Sequence, residues 1–460
     1  MPHLLISAAH KSSGKTTVTL GLCAALVARG LQVQPFKKGP DYIDPLWLSQ
    51  AAQRPCHNLD FQIMNEAEIV QTVVNQLVGA DIGIIEGNKG LYDGMDVQGT
   101  NSNAALAKLL NAPVVLVLST HGMTRGIVPL MLGYQAFDPQ IQIAGVILNH
   151  VGGARHESKL RAAIAYYSDI PVLGALPSDQ QLTIVERHLG LMPSNEHHQA
   201  AVKIQQIAAI VAQQVDLDKI IQIANLAPAL PVHAIPTILP PATVKIGIIR
   251  DAAFGFYYPG DLDNLCLAGA ELVFINALQD KQLPEIDGLF IGGGFPETWM
   301  QELANNHSLK HAIFTAINNN LPVYAECGGL MYLARQLTWK EQSAQMVGAL
   351  PFDTVMQPRP QGRGYVQMQE TGAGLWALRD QQGQLAEFAA HEFHYSKAIN
   401  LPDNLSFAYK VLRGYGMNGE QDGVVYKNTL ASYVHLRDVA SNRWTQRFVD
   451  FVKRCKQLNS

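Results

Sequence analysis

Near its amino end the chain reads His3-Leu4-Leu5-Ile6-Ser7-Ala8, then Ala9-His10-Lys11-Ser12-Ser13-Gly14-Lys15-Thr16-Thr17. Next comes a segment with Val18, Leu22, Ala25 and Leu26 on one helical face and Gly30 past its end. An apolar strand, a glycine-lysine-threonine turn and a helix in direct succession narrow the possible folds more than any other feature. Backbone N–H groups of such a turn, with the helix amino terminus, cradle phosphate. Lys15 would reach the terminal phosphates, and the Thr16 hydroxyl would hold Mg²⁺. Ser13, Gly14, Lys15, Thr16 and Thr17 are therefore the candidate ATP-binding loop. Ala9 stands where the strict pattern has glycine, so the weight falls on the strand–loop–helix setting. A strand of this kind is buried in a parallel sheet with helices on both faces.

Further apolar runs at Ile82–Glu86, Val114–Ser119, Ile143–Asn149 and Val172–Leu176 extend that sheet, with helical patterns between several of them. A polar amphipathic segment from Glu196 to Gln222 then leads to Pro228, Pro231, Pro236, Pro240 and Pro241, which fit neither a helix interior nor a central strand. A second strand set begins at Lys245–Ile249 and continues at Glu271–Asn276, Leu289–Ile291 and Val323–Cys327. Gly423–Tyr426 and Leu430–His435 follow later. The expected fold class is α/β with two doubly wound domains. Residues 1–190 form the first, 191–243 a linker with a helical segment and a proline-rich stretch, and 244–460 the second.

Composition limits the function classes. With 48% hydrophobic and 16% charged residues the chain is a folded globular protein. A net charge of -4 gives no general pull toward nucleic acid or an anionic membrane. The five cysteines (Cys23, Cys56, Cys266, Cys327, Cys455) are scattered and never paired as Cys-x-x-Cys, against a disulfide framework or a zinc site. No apolar stretch approaches the ~18 residues of a membrane span. Because the chain opens on a phosphate-loop strand, the expected location is cytoplasmic. A homodimer is compatible with these features.

Two clusters support the nucleotide site: Phe36-Lys37-Lys38-Gly39-Pro40-Asp41-Tyr42-Ile43-Asp44-Pro45, and Glu86-Gly87-Asn88-Lys89-Gly90-Leu91-Tyr92-Asp93-Gly94. Both follow strands, where ligands of open α/β sheets collect. Asp41 and Glu86, with Thr16, are candidate Mg²⁺ ligands, and the lysines suit carboxylate and phosphate oxygens. Asn149, ending its strand, is a candidate reader of the adenine edge. No tightly bound cofactor is expected beyond Mg²⁺ with ATP.

Val323-Tyr324-Ala325-Glu326-Cys327-Gly328-Gly329-Leu330-Met331 is an apolar strand, a small-residue turn and a helix, the pattern of a nucleophile elbow. The N–H of Gly328 would face an oxyanion, and Gly294 in Ile291-Gly292-Gly293-Gly294 would supply the second donor. A cysteine near pKa ~8.5 is mostly protonated at neutral pH, so a base is required. His435 is the candidate. No glutamate stands two places beyond it, so a Cys327–His435 dyad is expected. A backbone carbonyl and Glu326 both remain open as partners for the imidazole.

Taken in order, these motifs resemble the cobyrinate a,c-diamide synthase family over nearly the whole chain. They are joined by Arg187-His188-Leu189-Gly190-Leu191, Phe256-Tyr257-Tyr258-Pro259, His391-Glu392-Phe393-His394-Tyr395-Ser396 and Ser432-Tyr433-Val434-His435. The resemblance implies a dethiobiotin-synthetase-like ATPase domain and a class I, triad-type glutamine amidotransferase domain. It implies a ligase whose partners are ATP, L-glutamine and a tetrapyrrole polycarboxylate amidated at its a and c acetates. It places the substrate carboxylate and its acyl phosphate beside Lys38, Asp41, Tyr42, Asp44 and Asp93. Asn88-Lys89 and Leu436-Arg437-Asp438 are similar to relatives that act on sirohydrochlorin or siroheme, an alternative macrocycle for the same chemistry. A regulatory ATPase with an inactive amidotransferase domain is a further alternative.

Overall fold

The computed structural model describes residues 1–459 apart from Val185, His188, Leu189, His197, His198, Pro236 and Thr237. The middle of the Arg187–Leu191 motif therefore lies outside the described residues. Two compact units are present, Met1–Pro236 and Thr237–Ser460.

In the first unit the predicted strands, joined by His57–Leu59, which the sequence does not announce, form one sheet: β1 (His3–Ala8), β2 (Val33–Lys38), β3 (His57–Leu59), β4 (Ile82–Glu86), β5 (Val114–Ser119), β6 (Ile143–Val151) and β7 (Val172–Pro177). Their order is β3-β2-β4-β1-β5-β6-β7, and every pairing is parallel. All six residues of β1 are buried, because helices cover both faces of a parallel sheet and leave no polar side to alternate with. Register sets the site. Ile6 and Lys37 both pair with Glu86, so the ends of β1, β2 and β4 bring their loops to one edge.

Helix α1 (Lys15–Ala28) follows the phosphate loop, and α2 (Ile43–Ala52) follows β2. Residues 191–243, expected as a linker, divide differently. Ala200–Gln214 and Leu217–Ala224 are helices whose Ile204, Ile207, Val211, Leu217 and Ile220 join the core built on α1. Even the start of the proline-rich stretch is held to this unit, with Gln71 Nε2 donating to the His233 carbonyl and the Ile235 N–H donating to Asn75 Oδ1. The physical reason is the apolar stripe of these helices, which a free linker would leave in water. A Cβ on Gly21 would stand 2.4 Å from Val211 Cγ2, so α1 meets the later helix at a glycine. Gly21→Val is expected to cost about 1–3 kcal/mol of unfolding free energy, read from the urea midpoint at unchanged slope.

The second unit is built on a nine-stranded sheet. Its order is Ala270–Ile275, Val244–Ile249, Gly288–Ile291, Val323–Glu326, Thr429–Ser432, Gln421–Tyr426, Ser406–Arg413, Gly362–Glu370 and Glu387–His394. The first five strands are parallel, as expected. The rest continue as antiparallel strands; the sequence places the first of them, at Gly423–Tyr426, but not the three beyond it. Alternation sorts the two faces. Val323 and Ala325 enter one core layer, whereas Tyr324 enters the other with Phe290, Trp444 and Phe448. Among the described residues, no helix is long and apolar enough to cross a membrane.

Candidate active sites

The turn after β1 carries the phosphate-binding elements. Gly14 has a φ of 86°, and a Cβ there would lie 2.0 Å from Asn149 Nδ2. That amide donates to the Ser13 carbonyl at 2.9 Å, and the Ser13 hydroxyl donates to the His10 carbonyl at 2.8 Å. Asn149 is thus a buried clamp on the loop, a task its position at a strand end did not disclose. The Thr17 hydroxyl turns to the Leu182 carbonyl at 3.4 Å.

Thr16 lies in an acidic cluster, its Oγ1 2.6 Å from Glu86 Oε1 and 3.2 Å from Asp44 Oδ2. Lys37 stands in the same cluster, with Nζ 2.5 Å from Asp44, 3.1 Å from Glu86 and 3.8 Å from Asp41. The sequence gives Lys37 only the general part of a lysine that suits carboxylate and phosphate oxygens; the register opposite Glu86 is what brings it into the acidic cluster. Burial alone would lower its pKa, but Asp44, Glu86 and Asp41 outweigh burial and hold it above the ordinary lysine value. Burial raises the Glu86 carboxyl against the pull of Lys37. Burial lowers Lys15, with Glu86 opposing.

The two aspartates divide the work otherwise than expected. Asp41, read as a metal ligand, accepts the N–H groups of Ile43 and Asp44 at 2.9 and 3.1 Å and so secures the start of α2. Asp44, read on the substrate side alone, is the carboxylate that joins Thr16 and Glu86. One turn of helix separates a side chain that caps from one that projects inward, and a loop string does not reveal which is which. Glu86 Oε2 is buried without a hydrogen-bond partner. A hydroxyl, two carboxylates and that orphaned oxygen form a hard-oxygen donor set that fits a divalent cation such as Mg²⁺.

Lys38 donates to Asn88 Oδ1 at 3.1 Å, and burial lowers it to about 8. Tyr42 is buried at the entrance to α2. Asp93 accepts the Gly90 N–H at 2.9 Å within its own loop and acts on the charge of Lys15. Asn103, missed in the sequence, holds this loop. Its Nδ2 contacts Ser7 Oγ and the carbonyls of Asn88 and Gly90, and its Oδ1 accepts the Asn88 N–H.

In the second unit Cys327 follows the strand Val323–Glu326 and precedes the helix Gly328–Leu333. Its φ of 46° and ψ of -98° mark the strained elbow that thrusts a side chain outward. A Cβ on Gly329 would come 2.3 Å from the Ile291 carbonyl, and one on Gly328 would come 3.0 Å from the Gly294 nitrogen. The turn after the cysteine is therefore packed directly on the glycine loop, and both proposed oxyanion donors lie in one place. That loop is held by Tyr257, whose hydroxyl accepts the Gly292 N–H at 2.8 Å and donates to the Ile249 carbonyl. Burial pushes the Cys327 thiol well up, with Glu297 and Glu326 adding to it and the Gly328 N–H opposing. The resting sulfur is a thiol, so it needs a proton acceptor.

His435 lies three residues beyond the strand Thr429–Ser432, which pairs in parallel with the cysteine strand. Its Cε1 would meet a Cβ on Gly293 at 2.6 Å, so the imidazole rests on the glycine loop. Its Nδ1 is 3.2 Å from Glu326 Oε2. A carboxylate only accepts, so Nδ1 carries the hydrogen and Nε2 is the ring atom left to take a proton. Glu326 Oε1 also accepts the Tyr324 hydroxyl at 2.6 Å and the Leu436 N–H at 2.9 Å. The expected dyad without an acid is corrected here, since the acid precedes the nucleophile rather than following the histidine. A glutamate ending a buried apolar strand was the available signal, because burial demands partners for it.

Comparison with known proteins places these two sites in a family. Residues 3–186 match the AAA domain model, and residues 245–442 match the CobB/CobQ-like glutamine amidotransferase domain model. A protein of Magnetococcus marinus named cobyrinate a,c-diamide synthase is 45% identical over 451 residues, 96% of each chain. Proteins of the same name from Methanosarcina acetivorans and Archaeoglobus fulgidus are each 40% identical. The first alignment covers 96% of this chain and 93% of that protein, and the second covers 98% and 97%. With a nucleotide-binding sheet, a cysteine elbow and full-length relatives of one name, the chain belongs to the cobyrinate a,c-diamide synthase family.

Proposed function

We propose that this protein amidates the a and c acetate carboxylates of cobyrinate, using ATP and glutamine. The observation that carries the proposal is the pairing of two complete sites on one chain. One has the Thr16–Asp44–Glu86–Lys37 cluster at a phosphate loop, and the other has Cys327 on an elbow with His435 bound to Glu326.

At the first site an acetate oxygen attacks the γ-phosphorus of ATP, ADP leaves, and the acetate becomes an acyl phosphate. Lys15 and the N–H groups of Ser13, Gly14 and Thr16 bind the phosphates, and Asn149 meets the adenine while clamping the loop. Thr16, Asp44 and Glu86 would hold Mg²⁺, which neutralises phosphate charge when bound. Lys37 and Lys38 hold the substrate carboxylate, Tyr42 and Asp93 border it, and Asp41 fixes the start of α2. Ammonia then attacks the acyl carbon, the C–O bond to phosphate breaks, and the amide forms with release of phosphate and a proton. Each amide consumes one ATP and one ammonia.

At the second site His435 Nε2 takes the Cys327 proton while sulfur attacks the glutamine amide carbon. The N–H groups of Gly294 and Gly328 receive the oxyanion. The same proton goes to the leaving nitrogen, so ammonia departs and a thioester remains. Water, deprotonated by His435, then releases glutamate.

Mass spectrometry of products from cobyrinate and from sirohydrochlorin or siroheme, each with ATP and glutamine, tests the substrate. Diamide from cobyrinate alone is the expected result. Turnover restricted to the other macrocycles overturns this substrate assignment, and no ATP-dependent product from any of them favours a regulatory ATPase. Lys38 adds a pH test. Its ammonium is present below about 8 and is lost as pH rises through that value. The KM for the macrocycle should therefore rise roughly tenfold between about pH 7 and 9. In Lys38→Arg, which stays charged, that rise should disappear. An unchanged profile in the variant removes Lys38 from carboxylate binding.

A further inference from the structure

The motif His391–Ser396 has no part in the two reactions above, yet it packs against the segment that delivers His435. Three contacts define that segment. The His435 N–H donates to the His391 carbonyl at 2.8 Å, the Leu436 N–H donates to Glu326 at 2.9 Å, and the preceding peptides donate to Asp422. This aspartate is fully buried. Oδ1 accepts the Gly423 N–H at 2.8 Å and the Tyr433 N–H at 3.1 Å, and Oδ2 accepts the Tyr433 N–H at 3.1 Å and the Val434 N–H at 3.0 Å. Among the described residues no basic side chain forms an ion pair with it; backbone N–H groups satisfy the carboxylate.

The Tyr433 side chain is fixed from the other side. Its ring stacks on His394 at 4.1 Å and 11°, and its hydroxyl is 2.8 Å from Ser396 Oγ. His394 Nδ1 donates to the Ser396 carbonyl at 2.8 Å, which locks the plane on which Tyr433 lies. The Ser432 hydroxyl donates to the Val434 carbonyl at 2.7 Å and tightens the turn. A desolvated carboxylate is a costly way to hold two peptides unless their placement matters. The very next residue is His435, whose imidazole must face Glu326 on one side and the sulfur on the other. Errors of about 1 Å in such a group cost on the order of 10²-fold in rate.

We propose that Asp422 is a positioning residue for glutamine hydrolysis, anchoring the Tyr433 and Val434 peptides so that His435 is aimed at Cys327, with Tyr433 held against His394 and Ser396. The proposal rests on the glutaminase reading above. Asp422 touches neither substrate nor sulfur and acts through the backbone.

Asp422→Asn replaces one acceptor oxygen with a donor group that faces N–H groups. In the full-length protein its glutaminase kcat is expected to fall about 10²-fold, with the KM for glutamine unchanged within about threefold. The rate of Cys327 alkylation by iodoacetamide near pH 7 should fall in parallel, and synthesis from ammonium should persist. Tyr433→Phe, which keeps the stack and loses only the hydroxyl, should lower kcat by roughly three- to tenfold with the same pattern. It decides the matter if Asp422→Asn does not fold. Asp422→Asn with normal kcat overturns the proposal. So does a folded variant whose KM rises at constant kcat, or whose ammonium-driven synthesis falls as far as glutamine-driven synthesis. Retention of glutaminase activity by Cys327→Ala would instead sink the glutaminase reading itself.

Discussion

Cys327→Ala is expected to abolish glutamine-driven amidation, by at least ~10³-fold, and to leave ammonium-driven amidation within about twofold of the parent. The asymmetry is chemical in origin. No other group at the elbow can form the thioester, whereas an acyl phosphate made at the phosphate loop reacts with ammonia from any source. The buried thiol also makes a pH prediction possible. Burial and the nearby Glu297 and Glu326 hold the sulfur protonated, so the free thiol should alkylate slowly near neutral pH and faster as pH rises, and glutamine, which occupies the site and acylates the sulfur, should protect it. Amide yield with glutamine and with ammonium chloride, measured on the same preparation, is the deciding comparison. Equal loss with both donors would mean that the two reactions do not have separate sites.

Lys15→Ala carries the converse expectation. Synthesis from either nitrogen donor should fall by ~10³-fold or more, because charge developing on the transferred phosphoryl group loses its nearest cation. Glutamine hydrolysis, assayed as glutamate released, should persist, since Cys327, His435 and Glu326 all lie in the other unit. Glu86→Ala should behave alike. It removes the acceptor of the Thr16 hydroxyl and one carboxylate partner of Lys37 at the same time. Substantial ammonium-driven turnover in Lys15→Ala would place ATP elsewhere.

The two sites were legible in the sequence to different depths. Lys15 and Cys327 stand out because each needs a local backbone shape, a phosphate cradle or an elbow, and local shape is written in adjacent residues. The acids around Thr16 are legible as a group, but their division between capping a helix and facing Thr16 is not. Asp41 and Asp44 are three residues apart, and only the start of α2 decides that one caps it while the other faces Thr16. The amphipathic pattern of the helices 200–214 and 217–224 is legible in the sequence, yet the sequence alone reads it as part of a linker. Prolines downstream outweighed an apolar stripe whose partner, α1, lies far away in sequence.

The sequence alone determined the strand–loop–helix openings of both sites, the parallel strands behind them and the reaction class that these imply. Such features depend on periodicity, glycine and proline placement, and side-chain chemistry within a few residues. The tertiary structure alone decided that Lys37 enters the acidic cluster around Thr16, that Glu326 orients His435, and that Asp422 holds the turn before it. Each of these pairs a charged group with partners about ten to more than a hundred residues away. Strand register and burial select such pairs, since a charge taken out of water must find whatever donor or acceptor the fold brings within reach.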